Sequence, residues 1–363
     1  MIRLGAGWLA VAAFFFGQAM FTTLLGQNLG VLALFVILLG IIIWLAFGVV
    51  HEAEELAEYL GDPLGTLILT LAIVIIEVAL ISAVMLGAKS APALGRDTMF
   101  SVLMIVLNGV VGLGLLIGGL RYRQQEYNLQ GAGAYLSVII PLAVIALILP
   151  NFTIATGVGT LSRLQSIIFA LVTLVIYGAF LAVQTGRYKD FFVDPRGPTE
   201  QALTAAAREG GGASFVTRHT VLLLLNVLPI VILAKGLAKV LDVGIARLGA
   251  PPELGGILIA AVVFLPECMT ALRAISANEL TRAMNLFLGA CASTLGLTVP
   301  AVLTIALLMD QSVTMGLSPT NSVLLATTLM LSTLTFSSPR TTLLHGVVHL
   351  SMFFVFLVLI FEP

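Results

Sequence analysis

Two glutamates in this chain stand where a glutamate is costly. Glu77 lies deep in PLGTLILTLAIVIIEVALISAV, residues 63–84, and Glu267 in ELGGILIAAVVFLPECMTALRAIS, residues 253–276. Nearly every neighbour in both stretches is apolar or small. A charged side chain at the centre of a membrane span costs roughly 2.5–3.5 kcal/mol on insertion scales, and intramembrane acids mark ion and proton pathways. The two stretches also share a spacing. Leu64-Gly65, eleven residues and Glu77 match Leu254-Gly255, eleven residues and Glu267, at an offset of 190.

Paired carboxylates suit a hard cation. Ca²⁺ takes about 6–8 oxygen ligands from carboxylates, carbonyls and water, and Na⁺ fits the same donors. Protons compete for the same oxygens, so a cation and protons exclude one another, which is the core of an exchange cycle. The bland alternative is a pair of protonated, hydrogen-bonded acids tying helices together. Supporting oxygens recur near helical spacing. Thr66 and Thr70 lie about three and two turns before Glu77, and Ser82 a little over one turn after it. Thr270 is three residues past Glu267. Asn108 falls in the span after Glu77, and Ser293 and Thr294 in the span after Glu267. Thr70, Ser82, Asn108, Thr270, Ser293 and Thr294 are therefore the candidate supporting ligands, although Ser and Thr can bond back to their own helix instead. Pro266 loosens the helix beside Glu267 and could free a carbonyl for a cation.

The elements that position these groups are membrane helices. The chain has 363 residues, 59% hydrophobic and 10% charged, with a mean hydropathy of +1.11. A soluble domain carries about 25% charged residues, so this composition specifies a polytopic membrane protein. Its net charge of −1 gives no hint of nucleic acid. A window of about 20 apolar residues predicts eleven spans, near 7–25, 30–50, 63–86, 98–120, 134–150, 164–184, 219–242, 253–276, 283–306, 318–337 and 343–361. No ten-residue alternation suggests a β-barrel. The expected fold is all-α: an extra N-terminal helix over 1–28, five spans over 29–184, a polar linker over 185–218, and five spans over 219–363.

Each set holds its acid in its second span. A second register pairs Gly112-Leu113 with Gly296-Leu297 at an offset of 184. Five spans per set make the halves inverted, an architecture in which substrate binds near the midplane at the repeat interface, so the two carboxylates are expected to converge. Orientation follows the basic residues. With the N-terminus cytoplasmic, eleven of the 17 Lys and Arg lie inside and six outside.

The remaining features carry less. Cys268 and Cys291 fall in apolar runs, with no CxxC metal site. HEAEELAEYL, residues 51–60, lacks the second histidine of a zinc HExxH motif. Its Glu52, Glu54, Glu55 and Glu58 form an acidic patch that either gathers cations or is a solvated interfacial helix. His345 and His349 are four apart in the last span, as a proton relay or a packed pair. Arg96-Asp97 reads as a local ion pair opening a span, and Arg273 and Arg282 as interfacial anchors. An intramembrane enzyme would need a Ser/His, paired-Asp or multi-Asp metal constellation, and the spans contain no Asp pair. A cation channel using the glutamates as a selectivity element is the rival reading.

GDPLGTLILTLAIVIIEVALI (61–81), RDTMFSVLMIVLNGVVGLGLLIGG (96–119), LPECMTALRAISANELTRAMNLFLGACASTLGLTVPAV (265–302) and GVVHLSMFFVFLVL (346–359) together resemble the bacterial calcium/proton antiporters, which also exchange sodium, of the calcium/cation antiporter superfamily. The resemblance covers the chain from about residue 45 onward. It implies eleven spans in the bacterial inner membrane, an inverted repeat, Glu77 and Glu267 as carriers of cation and proton, and no cofactor. Many members of the superfamily place a Gly-Asn-Ala-Thr-Glu type motif around each acid. Here Val74, Ile75 and Ile76 precede Glu77, and Phe264, Leu265 and Pro266 precede Glu267. Ca²⁺, Na⁺ and K⁺ are all candidate cargo.

Overall fold

The computed structural model describes residues 2–60, 68, 71–72, 74–78, 81–82, 92–194, 213–251, 253–310 and 312–362. Among them, eight helices are long and apolar enough to cross a membrane: Asn28–Ala57, Leu94–Tyr122, Leu129–Phe152, Arg163–Thr185, Ser214–Leu248, Glu253–Ser276, Leu280–Leu308 and Leu343–Phe361. The protein is thus an all-α, multi-pass membrane protein. The helices at 253–276 and 343–361 have the bounds expected from hydropathy, and the others run longer, most of all Ser214–Leu248, 35 residues where 219–242 was expected.

Two expected spans take other forms. The 7–25 segment is a helix Ile2–Phe16 and a helix Gln18–Leu25, bent by 81°. The break falls at Gly17, the residue type that holds a helix most weakly apart from proline. The 318–337 segment is a 17-residue helix, Pro319–Thr335, opened by the Ser318 side chain accepting from the Asn321 amide. Most of the 63–86 segment, with Thr66 and Thr70, lies outside the described residues.

The chain forms two compact units, residues 1–94 with 201–266, and residues 95–200 with 267–363. Each draws one segment from either half of the sequence. In the first unit, Asn28–Leu60 packs along Ala213–Leu248, with Ile2–Phe16 against both. Ile42, Leu45, Ala46 and Val49 are buried on one helix, and Ile230, Leu233, Ala234 and Leu237 on the other. The matching spacing is the apolar stripe of a packed helix. The two helices run antiparallel, since Arg247 bonds Asn28 at one end (3.1 Å) and His219 meets Glu52 at the other (2.7 Å). They approach closely at Gly48, where a Cβ would lie 2.9 Å from Asn226 Oδ1.

In the second unit, the helix ending at Tyr122 crosses Leu343–Phe361 at backbone distance. A Cβ on Gly112 would lie 2.8 Å from the Leu350 nitrogen, and one on Gly346 would lie 2.5 Å from the Leu116 nitrogen. Small residues let membrane helices meet this way. Three helices widen into π turns, at Ile105–Val110, Val144–Ile148 and Thr294–Thr298. Two loops pair as a short antiparallel ladder, Gln124–Glu126 with Arg340–Thr342. Arg96 pairs with Asp97 at 2.7 Å at the mouth of its helix, and also donates to the Gly316 carbonyl at 2.9 Å.

Candidate functional site

Glu77 belongs to the first unit and Glu267 to the second. Both are buried, Glu77 at 0% exposure and Glu267 at 8%. Glu77 sits on a helical stretch with Val74 and Ile76 buried on either side of Ile75. Ser82, one turn on, donates its hydroxyl to the Val78 carbonyl. That bond uses the hydrogen and leaves the oxygen lone pairs available to a cation. Thr70 lies outside the described residues.

Glu267 follows Pro266 inside the continuous helix Glu253–Ser276. Proline removes one backbone hydrogen bond from the helix and so relieves one carbonyl of its partner. Thr270, one turn on, is half-buried. In the same unit, helix Leu280–Ser293 packs against the π turn Ile105–Val110, so Asn108 and Ser293 are carried by touching elements. Ser293 donates to the Ala290 carbonyl at 3.0 Å, and Thr294 is fully buried at the start of the π turn Thr294–Thr298. The π turns Ile105–Val110 and Thr294–Thr298 stand near matched positions. Shifted by the 184-residue offset, Ile105–Val110 falls on 289–294 and meets Thr294–Thr298 at Thr294. A π turn widens the helix and often lies at a functional site.

Asn108 is held tightly. Its amide nitrogen donates to Thr328 Oγ1 at 2.8 Å, and its amide oxygen faces His349 Nδ1 at 3.3 Å. An amide oxygen only accepts, so Nδ1 carries the hydrogen. His349 Nε2 then accepts from Thr335 Oγ1 at 2.9 Å. Thr328, Asn108, His349 and Thr335 are thereby one buried chain of hydrogen bonds linking three helices. His345 does not share in it; its Nδ1 accepts from the Thr342 amide and caps the last helix. The two histidines are therefore not bonded to each other.

Sequence reading missed Thr328, Ser332 and Thr335. All three are buried, and their spacing of four and three residues puts one hydroxyl stripe on the helix Pro319–Thr335. That stripe was the available signal. Among the described residues, no group of three His, Cys, Asp or Glu could hold a metal. Glu52 of the acidic stretch is committed to His219.

The profile of the sodium/calcium exchanger protein family matches residues 30–186 and 218–362. A Sinorhizobium fredii chain named as an ionic transporter, y4hA, is 39% identical over 88% of this chain and 86% of its own. The sodium-potassium/proton antiporter ChaA of Escherichia coli is 36% identical over 87% and 85%. The solved structure of the Ca²⁺/H⁺ antiporter protein YfkE superposes with a TM-score of 0.72 at 18% identity, covering all of this chain and 98% of that one, a likeness of fold.

Proposed function

We propose that this chain, which belongs to the sodium/calcium exchanger protein family, is a secondary antiporter that exports Ca²⁺, with Na⁺ and K⁺ as further cargo, in exchange for protons. Glu77 and Glu267 carry the exchange. Each carboxylate is either protonated or bound to cation, and alternating access couples the two states. Ser82, Asn108, Thr270, Ser293, Thr294 and Thr70 supply further oxygens. The spans are two inverted sets of five, 29–184 and 219–363, joined by the 185–218 linker and preceded by the N-terminal helix. The protein sits in the bacterial inner membrane with its N-terminus in the cytoplasm, in keeping with the distribution of Lys and Arg.

The observation that carries this reading is the burial of both acids within apolar helices at matched sequence positions. A buried carboxylate needs a compensating charge or proton, and a mobile cation alternating with a proton meets that need in both halves of a cycle. The family description names sodium and calcium, and the name of the Escherichia coli relative adds potassium and protons. That relative is named as an antiporter, which supports transport rather than catalysis.

Dye-monitored proton flux in everted vesicles tests the reading, with Ca²⁺, Na⁺ and K⁺ added in turn. Cation-driven proton movement in the wild type, lost in Glu77→Gln and in Glu267→Gln, is the expected result. Exchange that survives either substitution refutes the two-carboxylate cycle. Cation conductance without proton movement makes the protein a channel.

A further inference from the structure

We propose that the second unit carries a binding site for the phosphate headgroup of an anionic phospholipid, built from Arg121 and Arg273. The helices ending at Tyr122 and Ser276 finish side by side, joined by the Tyr122 hydroxyl, which donates to the Ser276 carbonyl at 2.7 Å. Between them runs a groove of about 480 Å³, lined by Arg121, Met269, Leu272, Arg273, Ser276 and Ala277. Its walls are apolar and face outward: Met269 is 40% exposed and the neighbouring Leu120 71%. Both guanidiniums stand at its head, one in the last turn of each helix.

The two arginines differ from their neighbours at this end of the unit. Arg282 pairs with Glu279 at 3.3 Å, and Arg340 with Glu126 at 2.5 Å. Arg121 and Arg273 have no carboxylate or carbonyl partner among the described residues; Arg121 only lies over the Tyr122 ring, 5.5 Å from its centroid. Capping the helix ends does not account for them either. The Ser276 carbonyl is taken by Tyr122, and the Ile275 carbonyl by the Gln125 side-chain amide at 3.0 Å. Two free guanidiniums above an apolar groove at the ends of membrane spans have the chemistry of a lipid phosphate with its acyl chains below. Basic pockets between membrane helices hold anionic headgroups in this way, and arginine forks match phosphate oxygens.

Native mass spectrometry of the detergent-purified chain, titrated separately with phosphatidylglycerol, phosphatidylcholine and inorganic phosphate, tests the site. The wild type is expected to retain phosphatidylglycerol in preference to phosphatidylcholine and to lose that preference in high salt. The double variant Arg121→Gln/Arg273→Gln is expected to bind phosphatidylglycerol roughly 30-fold more weakly, the effect of two basic residues at an anionic surface. Arg121→Lys/Arg273→Lys is expected to keep most of the preference. Equal retention of the two lipids by the wild type overturns the proposal without recourse to any variant. Unchanged phosphatidylglycerol binding in the glutamine variant also overturns it, and inorganic phosphate binding as tightly as the lipid reduces the feature to a general anion site.

Discussion

The two compact units keep their polar groups in different places. In the first, the long helices Asn28–Leu60 and Ala213–Leu248 are apolar along their shared stripe apart from Asn226 beside Gly48, and are tied to each other mainly near their ends, by Arg247 with Asn28 and by Glu52 with His219. In the second, the ties lie in the middle. Asn108, His349, Thr328 and Thr335 bond to one another at no more than 1% exposure, and helices there widen into π turns. Ties near helix ends fix the register of a pair but leave its centre uniform. Buried polar ties fix one arrangement of the centre, because every alternative leaves a polar group unsatisfied. The first unit has the build of a frame, and the second that of a unit whose interior is specified group by group. Each nevertheless holds one of the two buried acids.

The largest expected effect tests that last point. Glu77→Gln, in the frame-like unit, and Glu267→Gln, in the specified one, should each lower cation-driven proton flux more than tenfold, to vesicle background. A variant that keeps its exchange would confine the chemistry to one unit.

Next comes the helix crossing. Gly346→Leu forces a side chain into the Leu116 backbone and should cost at least the ~1–3 kcal/mol of an overpacked core, read as a lower thermal midpoint in detergent. Gly40, in the first unit, has nothing within 4 Å of an added Cβ, and Gly40→Ala should leave the midpoint unchanged or raised. Equal losses from both substitutions would erase the contrast in packing.

A smaller loss, about 1–2 kcal/mol, is expected for Asn108→Ala, which strands Thr328 and His349. Thermal unfolding measures it, and a neutral result would make the buried chain dispensable. Smallest is Glu52→Gln. It removes a partly exposed pair in the first unit and should shift stability by less than about 1 kcal/mol, with the shift vanishing in high salt. A loss as large as that of Asn108→Ala would show the frame held by its ends far more strongly than supposed.

Much of this was legible in the sequence. Hydropathy located the helices at 253–276 and 343–361 to the residue, because a membrane demands about 20 apolar residues whatever surrounds them. Arg96–Asp97 was legible because its partners are adjacent in the chain. The π turns were not: one extra residue in a turn is set by packing and leaves no periodic trace. Nor was the engagement of Asn108, whose partners Thr328 and His349 lie 220 and 241 residues away. The bend at Gly17 escaped because a hydropathy window averages across a single glycine. The acids were legible because an intramembrane carboxylate stands out against apolar neighbours, and its matched spacing can be counted.

Proton release on cation binding is the most direct test of the two-carboxylate cycle. Ca²⁺ is added to the purified wild type in weak buffer and the pH change is recorded, then the same is done with Glu77→Gln and Glu267→Gln. Release is expected from the wild type and a smaller release from each variant, since either substitution removes one carboxyl that exchanges its proton for cation. Ca²⁺ binding to the wild type without proton release would rule out that cycle.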